Sequence, residues 1–245
     1  TAIYAACKAT VKVGDGKEIT LHEETNYPFE EDIAFTVSTG EKVAFPFYLR
    51  IPSWTQKAEV WVNGKKVSVT PVAGKYLCIN REWANGDRVE LTLPMSLSMR
   101  TWQVNKNSVS VDYGPLTLSL KIAEKYVEKD SRETAIGDSK WQKGADPQKW
   151  PTTEIYPDSP WNYSLVLDKK EPLKNFKVIR KSWPADNYPF TATSVPLEVK
   201  AIGRPVPEWK IDETGLCGVL PEEDAVKGDK EEITLIPMGA ARLRI

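Results

Sequence analysis

The sequence has 245 residues, of which 41% are hydrophobic and 27% are charged, so we expect a globular protein with a substantial core. The 33 Lys and Arg against 34 Asp and Glu leave a net charge of −1, which removes any global attraction to nucleic acid or an anionic membrane. No apolar run approaches the roughly 20 residues of a transmembrane helix. We therefore expect neither nucleic acid nor a membrane as a partner. Because the chain begins with Thr1 and has no signal peptide of the usual form, we expect it to be part of a longer protein.

The first half of the chain alternates apolar and polar residues with a period of two, which indicates β-strands. We expect the turn at residues 38–41 to join two of these strands as a hairpin. Pro46 has no N–H to donate to a neighbouring strand, so it predicts an edge strand or a bulge. The predicted strands are 9–13, 19–21, 33–37, 43–51, 77–79, 89–93, 109–111 and 116–122.

The dipeptide Asn63-Gly64 predicts a tight type I′ turn, because both residues tolerate a positive φ. The resulting register sets Trp61 opposite Lys66 on the polar face of the hairpin. We expect the alternate positions to share the core face; these are Ala58, Val60, Val67 and Val69.

The pattern changes after about Ala123, where residues 125–160 are dense in charge, Pro and Trp. We interpret this stretch as a long ordered connection. Further strands are predicted at 163–167, 176–178, 195–199, 233–235 and 243–245. The predicted fold is all-β: two antiparallel, jelly-roll-like β-sandwich domains in tandem, over residues 1–123 and 124–245, with few or no helices.

Residues suited to catalysis are few. His22 is the only histidine, and its place beside Thr20 on the polar face of a strand predicts a solvent-exposed side chain. We expect the three cysteines, Cys7, Cys78 and Cys217, to be buried free thiols, since their spacing indicates neither zinc nor disulfides. A glycosidase needs two carboxyl groups roughly 5–10 Å apart. The acidic clusters at 23–24, 30–32 and 222–224 are instead expected to be solvated surface residues.

The nine tryptophans leave two alternatives open. Exposed indole rings stack on sugars, whereas buried ones anchor a core or an interface between domains. Trp61 is the best candidate for a sugar-binding or interdomain residue, followed by Trp54, Trp83 and Trp161. Further conceivable platforms are Trp102, Trp141 and Trp150.

Several motifs recur in one order along the chain: YLRIPSW at 48–54, VNG at 62–64, WANGD at 83–87, LTLPM at 91–95 and VDYGPL at 111–116. PWNYSL at 160–165, VPEW at 206–209 and LIPMGAARLR at 235–244 follow. This succession resembles the region after the catalytic barrel in glycoside hydrolase family 127, the β-L-arabinofuranosidase-like enzymes.

The resemblance implies an (α/α)₆ catalytic barrel, upstream of this chain, followed by β-sandwich domains. It implies that the barrel holds a zinc site of cysteines and a glutamate, with one cysteine as nucleophile. Cys7, Cys78 and Cys217 match none of those motifs, so no catalytic or metal-binding residue is assigned here. The implied parent enzyme acts on plant-type glycans and is secreted or periplasmic. We therefore expect a non-catalytic accessory region whose partner is the missing barrel; the alternative is a carbohydrate-binding module with an exposed aromatic face.

Overall fold

The computed structural model describes residues 1–131, 146, 148–213, 215–222 and 228–244. The predicted all-β, sandwich-like fold is confirmed. The chain forms two compact units: unit 1 comprises Thr1–Arg100 and Val109–Thr117, and unit 2 comprises Thr101–Ser108 and Leu118–Ile245. The domain boundary near residue 123 stays a prediction. Within the described residues, no helix combines the length and apolar character needed to span a membrane.

Unit 1 contains a six-stranded and a two-stranded antiparallel sheet. Its first eight strands are β1 (Cys7–Val13), β2 (Lys17–Thr25), β3 (Asp32–Thr39), β4 (Val43–Arg50), β5 (Glu59–Val62), β6 (Lys65–Lys66), β7 (Tyr76–Trp83) and β8 (Arg88–Thr92). The larger sheet has the order β1-β2-β3-β8-β5-β6, and β4 pairs with β7 in the smaller one. Three strands follow: β9 (Leu97–Trp102), β10 (Ser108–Tyr113) and β11 (Leu116–Leu120). The start of β11 pairs with β10 in unit 1.

The expected hairpin between β3 and β4 is wrong. β3 pairs with β2 and β8, whereas β4 pairs with β7, so residues 40–42 carry the chain from one sheet to the other. Each of these two strands has one fully apolar face, and placing them in different sheets lets both faces enter one core. The edge-strand prediction at Pro46 is confirmed, because β4 belongs to a two-stranded sheet.

Aromatic rings fill the centre of the unit 1 core. The rings of Phe35 and Phe47 meet edge to face with centroids 5.3 Å apart, and Phe47 meets Trp83 in the same way at 5.8 Å. Trp83 is 0% exposed, and its indole Nε1 donates a hydrogen bond to the backbone oxygen of Phe45 at 3.0 Å. This bond satisfies the polar atom of an otherwise apolar side chain.

The Asn63-Gly64 turn is confirmed: φ is 50° and 73° at these residues, and Trp61 pairs with Lys66. Val60 is fully buried as expected. The expected burial of Val69 is wrong, since β6 ends at Lys66 and Val69 lies exposed beyond it. β5 is held in the sheet mainly by its pairing with β8, because its hairpin with β6 is shorter than predicted.

A buried carboxylate fixes this turn to the turn at residues 84–87. Asp87 accepts hydrogen bonds from the Asn63 side-chain amide at 2.7 Å and from the Ala84 backbone N–H at 2.9 Å. The Arg81 guanidinium lies 3.4 Å from the same carboxylate. Burial alone would raise the pKa of Asp87, but these partners outweigh it and lower the pKa. Asp87 therefore has a structural role in holding two loops together.

The remaining strands lie in unit 2. They are β12 (Glu124–Lys129), β13 (Thr152–Pro157), β14 (Tyr163–Leu165), β15 (Lys177–Arg180), β16 (Leu197–Pro205) and β17 (Glu231–Pro237), followed by a 3₁₀ turn at Met238–Ala240. β16 pairs with β14 and β15 along one edge and with β17 along the other. The end of β11 pairs with β17. The buried residues Val199, Ala201 and Leu235 form the core side of these strands.

Two expectations for this unit are corrected. The ends of the predicted connection are strands, since β12 and β13 pair over six residues each. Charged residues on both faces of β12 and the lack of apolar alternation in β13 hid these strands in the sequence. Residues 243–244 do not form the predicted strand. Trp141 lies outside the described residues.

Candidate functional site

The outer face of the six-stranded sheet carries the candidate residue Trp61. Its neighbours across the sheet are Lys66 of β6 and Glu90 of β8. Glu59 and Arg88 lie on the same face, and these five residues are called the Trp61 surface. Period-two alternation produces this arrangement, because the flanking Val60 and Val62 point into the core.

Charged groups on the Trp61 surface are paired with one another. The Lys66 ammonium lies 2.6 Å from the Glu59 carboxylate and 5.9 Å from the centre of the Trp61 ring. Arg88 contacts Glu90 at 3.1 Å and Glu24 of β2 at 3.5 Å. The lysine thus shares the indole face in a cation–π contact, and a sugar that stacks there has to displace it.

The other candidate tryptophans are placed differently. Trp83 is fully buried, so it cannot serve as an exposed or interdomain aromatic face, and that interpretation is corrected. Trp54 is half-buried, packs against the unit 1 core and shares a side-chain hydrogen bond with Tyr27. Trp161 meets the buried Trp209 edge to face at 5.3 Å. Trp102 and Trp150 are exposed, both in unit 2. Whether any of these rings contacts sugar or another domain stays a prediction.

One expected surface acid is in fact buried. Glu23 is 5% exposed and accepts a hydrogen bond from the Ala5 backbone N–H at 3.0 Å. The Cys7 thiol lies 3.9 Å from its other carboxylate oxygen. Burial raises the pKa of Glu23, and the Ala5 N–H only partly offsets this. The sequence contained the signal: Glu23 follows Ile19 and Leu21 with a period of two, which places it on the core-facing side of β2.

Several acids of the remaining clusters, among the residues that the structure describes, have hydrogen-bond or ion-pair partners of their own. Glu24 points away from Glu23, as expected for adjacent strand residues. Glu31 accepts a hydrogen bond from the Met95 backbone N–H at 3.0 Å, and Asp32 accepts one from the Thr92 hydroxyl at 2.7 Å. Glu222 pairs with Lys106, while 223–224 lie outside the described residues. The acids with described partners therefore hold local structure.

The zinc implied by the family resemblance does not fit the described residues. Among them, no three His, Cys, Asp or Glu side chains lie close enough together to hold a metal ion. The expected burial of the thiols is wrong for Cys7 and Cys217, which are exposed, while Cys78 is half-buried. His22 is exposed, as predicted, and pairs across the sheet with Lys8 and Thr36 rather than with a carboxylate. No reaction step is therefore derived through zinc here.

Comparison with known proteins confirms the resemblance seen in the motifs. Residues 1–95 match the family model described as "Beta-L-arabinofuranosidase, GH127 middle domain". These residues thus form a glycoside hydrolase-related domain. A comparison with curated proteins found no match.

Three similar solved structures extend the likeness of fold beyond residue 95. A GH127 β-L-arabinofuranosidase from Geobacillus stearothermophilus T6 is 23% identical, with a TM-score of 0.59 over 97% of this chain and 30% of that one. A GH127 β-arabinofuranosidase is 24% identical, with a TM-score of 0.59 over 97% of this chain and 32% of its own. A glycoside hydrolase matches with 24% identity, a TM-score of 0.54 and coverages of 97% and 32%. The chain therefore spans about a third of the length of these structures and shares their fold over that part.

Proposed function

We propose that this chain is a non-catalytic β-region of a glycoside hydrolase and supports a catalytic domain in the same polypeptide. The observation that carries the proposal is the match of residues 1–95 to a middle domain, in a chain that covers about 30% of the similar solved structures. The parent enzyme, by this proposal, acts on β-L-arabinofuranosides of plant-type glycans and is secreted or periplasmic. Its zinc and nucleophile then belong to the catalytic domain.

The geometry of unit 1 supports a structural role. Asp87, Glu31 and Asp32 each accept hydrogen bonds from loop or strand groups that they hold in place. Asp112 likewise binds Arg100 through two hydrogen bonds of 2.7 and 3.0 Å. Burial raises the pKa of Asp87 and of Asp112, but their hydrogen-bond and charge partners outweigh it and lower both pKa values, so these two carboxylates are stabilised as anions.

The test is hydrolysis of para-nitrophenyl β-L-arabinofuranoside by the purified chain, with and without added zinc. Cys7 and Glu23 are the residues to substitute as a control for activity of this chain itself, because the Cys7 thiol lies 3.9 Å from the buried Glu23 carboxylate. We expect no release of nitrophenol above the buffer rate for the natural chain, for Cys7→Ser or for Glu23→Gln. Turnover by the natural chain that either substitution abolishes would overturn the proposal.

A second candidate function is carbohydrate binding through the Trp61 surface. It is favoured by the half-buried indole ring, which lies beside both a cation and carboxylates on a regular sheet. Aromatic stacking supplies about 1–3 kcal/mol per flat ligand ring in comparable sites. Lys66 reduces the net gain, since its contact with the ring is lost on binding.

Titration of the chain with arabinan and pectic oligosaccharides tests this second function. Trp61→Ala is expected to weaken binding, whereas Lys66→Ala is expected to strengthen it, because the shortened side chain no longer covers the ring face. A flat titration, or equal affinity for the natural chain and Trp61→Ala, would remove the candidate.

A further inference from the structure

Unit 2 presents two aromatic rings to solvent on the loop between β15 and β16, residues 181–196, here called the aromatic loop. Tyr188 is 52% exposed and Phe190 is 49% exposed, and their ring centroids lie 5.9 Å apart at an interplanar angle of 72°. Pro189 between them is buried. The loop is thus anchored at its centre, while the rings on either side of the anchor face outward.

Hydrogen bonds hold the aromatic loop in one shape. The Lys181 N–H donates to the Pro196 oxygen at 2.8 Å and closes its base, as in compact loops whose ends lie close together. The Ser194 hydroxyl donates a hydrogen bond to the backbone carbonyl oxygen of Tyr188 at 2.6 Å. The Asp186 carboxylate accepts one from the Tyr188 backbone N–H at 3.0 Å. The backbone that carries the tyrosine is therefore fixed from both sides.

A third anchor of the aromatic loop lies on the N-terminal side of Tyr188. The Trp183 indole donates a hydrogen bond to the Asn187 side-chain oxygen at 2.7 Å, and Asn187 has a φ of 55°. Asparagine adopts this left-handed conformation more readily than most residues, and the Trp183 hydrogen bond holds its side chain in place. Preorganised, exposed rings lose little conformational entropy when a ligand stacks on them.

The low charge of the aromatic loop indicates that its ligand is uncharged. Its only charged residues are Lys181 and Asp186, so the loop is neutral overall. Lys181 also contacts Glu198 at 3.2 Å, and Asp186 accepts the Tyr188 N–H. The hydroxyls of Thr191, Thr193 and Ser194 are bonded to one another within the loop and are uncharged. Exposed aromatic rings on a loop without net charge suit a ligand with apolar CH faces and no charge.

The exposed area of the Tyr188 and Phe190 rings, here called the patch, is small enough to favour a sugar over a protein as the ligand. A Phe or Tyr ring buries about 150–250 Å², so two half-exposed rings offer roughly 200 Å². A stable protein interface needs about 800 Å² from each partner. The patch therefore fits one or two sugar rings and is too small for a folded protein.

We propose that Tyr188 and Phe190 form a binding site for a neutral oligosaccharide. The site deepens the proposed function, because it rests on a role of this chain in a carbohydrate-active enzyme. It lies in unit 2 and shares no residue with the Trp61 surface of unit 1.

The experiment is calorimetric titration of the full chain with neutral arabino-, xylo- and cello-oligosaccharides and with oligogalacturonate as the charged comparison. At least one neutral oligosaccharide is expected to bind. Tyr188→Ala and Phe190→Ala are each expected to weaken that binding about 5- to 150-fold, as for aromatic stacking on other flat ligands. Tyr188→Phe keeps the ring and is expected to stay within a few fold of the natural chain. Tyr156→Ala removes a similarly exposed ring, 45%, elsewhere in unit 2 and is expected to change nothing.

Four outcomes would overturn the site: no binding to any neutral oligosaccharide, binding of oligogalacturonate alone, unchanged affinity in Tyr188→Ala and Phe190→Ala, or concentration-dependent association with a second copy through these rings. Melting curves of the same variants separate loss of the site from loss of the fold. The hydrolysis test is independent, because a chain that binds no sugar and hydrolyses none still satisfies the proposed supporting role.

Discussion

Two groups of aromatic residues, one in each unit, are placed in opposite ways. In unit 1, four rings pack together in the core: Phe35, Phe45, Phe47 and Trp83. In unit 2, Tyr188 and Phe190 are about half exposed on an ordered loop. The first arrangement stabilises the fold by burying apolar surface, whereas the second contributes less because half of each ring stays in water. Aromatic content alone therefore does not identify a binding surface; what matters is whether the backbone turns the ring outward and holds it there.

The local backbone explains this difference, because the rings of unit 1 lie on strands whereas Tyr188 and Phe190 lie in a loop. Unit 1 has strands of seven to nine residues, such as β2, β3 and β4, whose alternation turns every second side chain inward. In unit 2, β14 and β15 have three and four residues, and the 16-residue stretch between β15 and β16 contains three prolines. Rings in such a stretch follow local turns rather than a sheet pleat. Substituting the core rings of unit 1 should therefore reduce stability, whereas substituting the exposed rings of unit 2 should reduce ligand binding.

The largest effect is expected at Trp83. Trp83→Ala removes a fully buried ring and its hydrogen bond to Phe45, and should lower the free energy of unfolding by about 3–5 kcal/mol. Chemical denaturation followed by far-UV circular dichroism measures it. Trp61→Ala is the matched control, with an expected loss below about 1 kcal/mol because Trp61 lies on the outer face of the sheet. Equal losses in the two variants would contradict the inward–outward distinction.

A smaller loss is expected at Asp87. Asp87→Ala leaves the Ala84 N–H and the Asn63 amide without their acceptor, and should cost about 2–3 kcal/mol at pH 7. The pKa of Asp87 is lowered in the fold, so its ionised form stabilises the native state above the ordinary pKa of 3.8. The difference between the variant and the natural chain should therefore shrink as the pH falls through the lowered pKa. A difference that stays constant down to low pH would show that the charge is irrelevant.

The opposite sign is expected at Glu23. Because burial raises its pKa, the ionised carboxylate destabilises the fold, and the protonated form's contribution is lost as the pH rises through the raised pKa. Glu23→Gln keeps an acceptor for the Ala5 N–H and removes the charge, so it should stabilise unit 1 by about 1 kcal/mol at pH 8. Below pH 4.5 the gain should vanish. Melting temperatures across this pH range, with Glu24→Gln as the exposed control, measure the effect; a destabilised Glu23→Gln at pH 8 would contradict it.

The smallest effect on stability is expected in the aromatic loop. Tyr188→Ala and Phe190→Ala remove exposed rings and should change the free energy of unfolding by less than about 0.5 kcal/mol. The same denaturation measurement applies. A loss above about 2 kcal/mol would assign these rings to the core of unit 2 instead of to a ligand.

Much of unit 1 was predictable because local pattern and tertiary structure agree there. The alternation at 33–37 and 43–51 indicates strands and their buried faces, and the Asn63-Gly64 turn fixes the register of its hairpin. The partner of each strand was less accessible: the short link after β3 looks like a hairpin, and only the shared core shows that it changes sheets. In unit 2, charges on both faces of β12 and the lack of apolar alternation in β13 concealed the strands.

The candidate site was less predictable than the fold. The alternation correctly placed Trp61 on the outer face, but the position of Lys66 over its ring depends on side-chain conformation rather than on pattern. The same alternation put Glu23 inside, yet its charge favoured a surface assignment. The exposure of Tyr188 and Phe190 depends on the buried Pro189 and on hydrogen bonds across the loop, which no periodicity encodes.

The hydrolysis rate of para-nitrophenyl β-L-arabinofuranoside by the purified chain, measured with added zinc at high protein concentration, tests the central claim most directly. A non-catalytic β-region predicts a rate equal to that of buffer with zinc. Zinc-dependent turnover by the natural chain that disappears in Cys7→Ser or Glu23→Gln would contradict it and would assign catalysis to this chain.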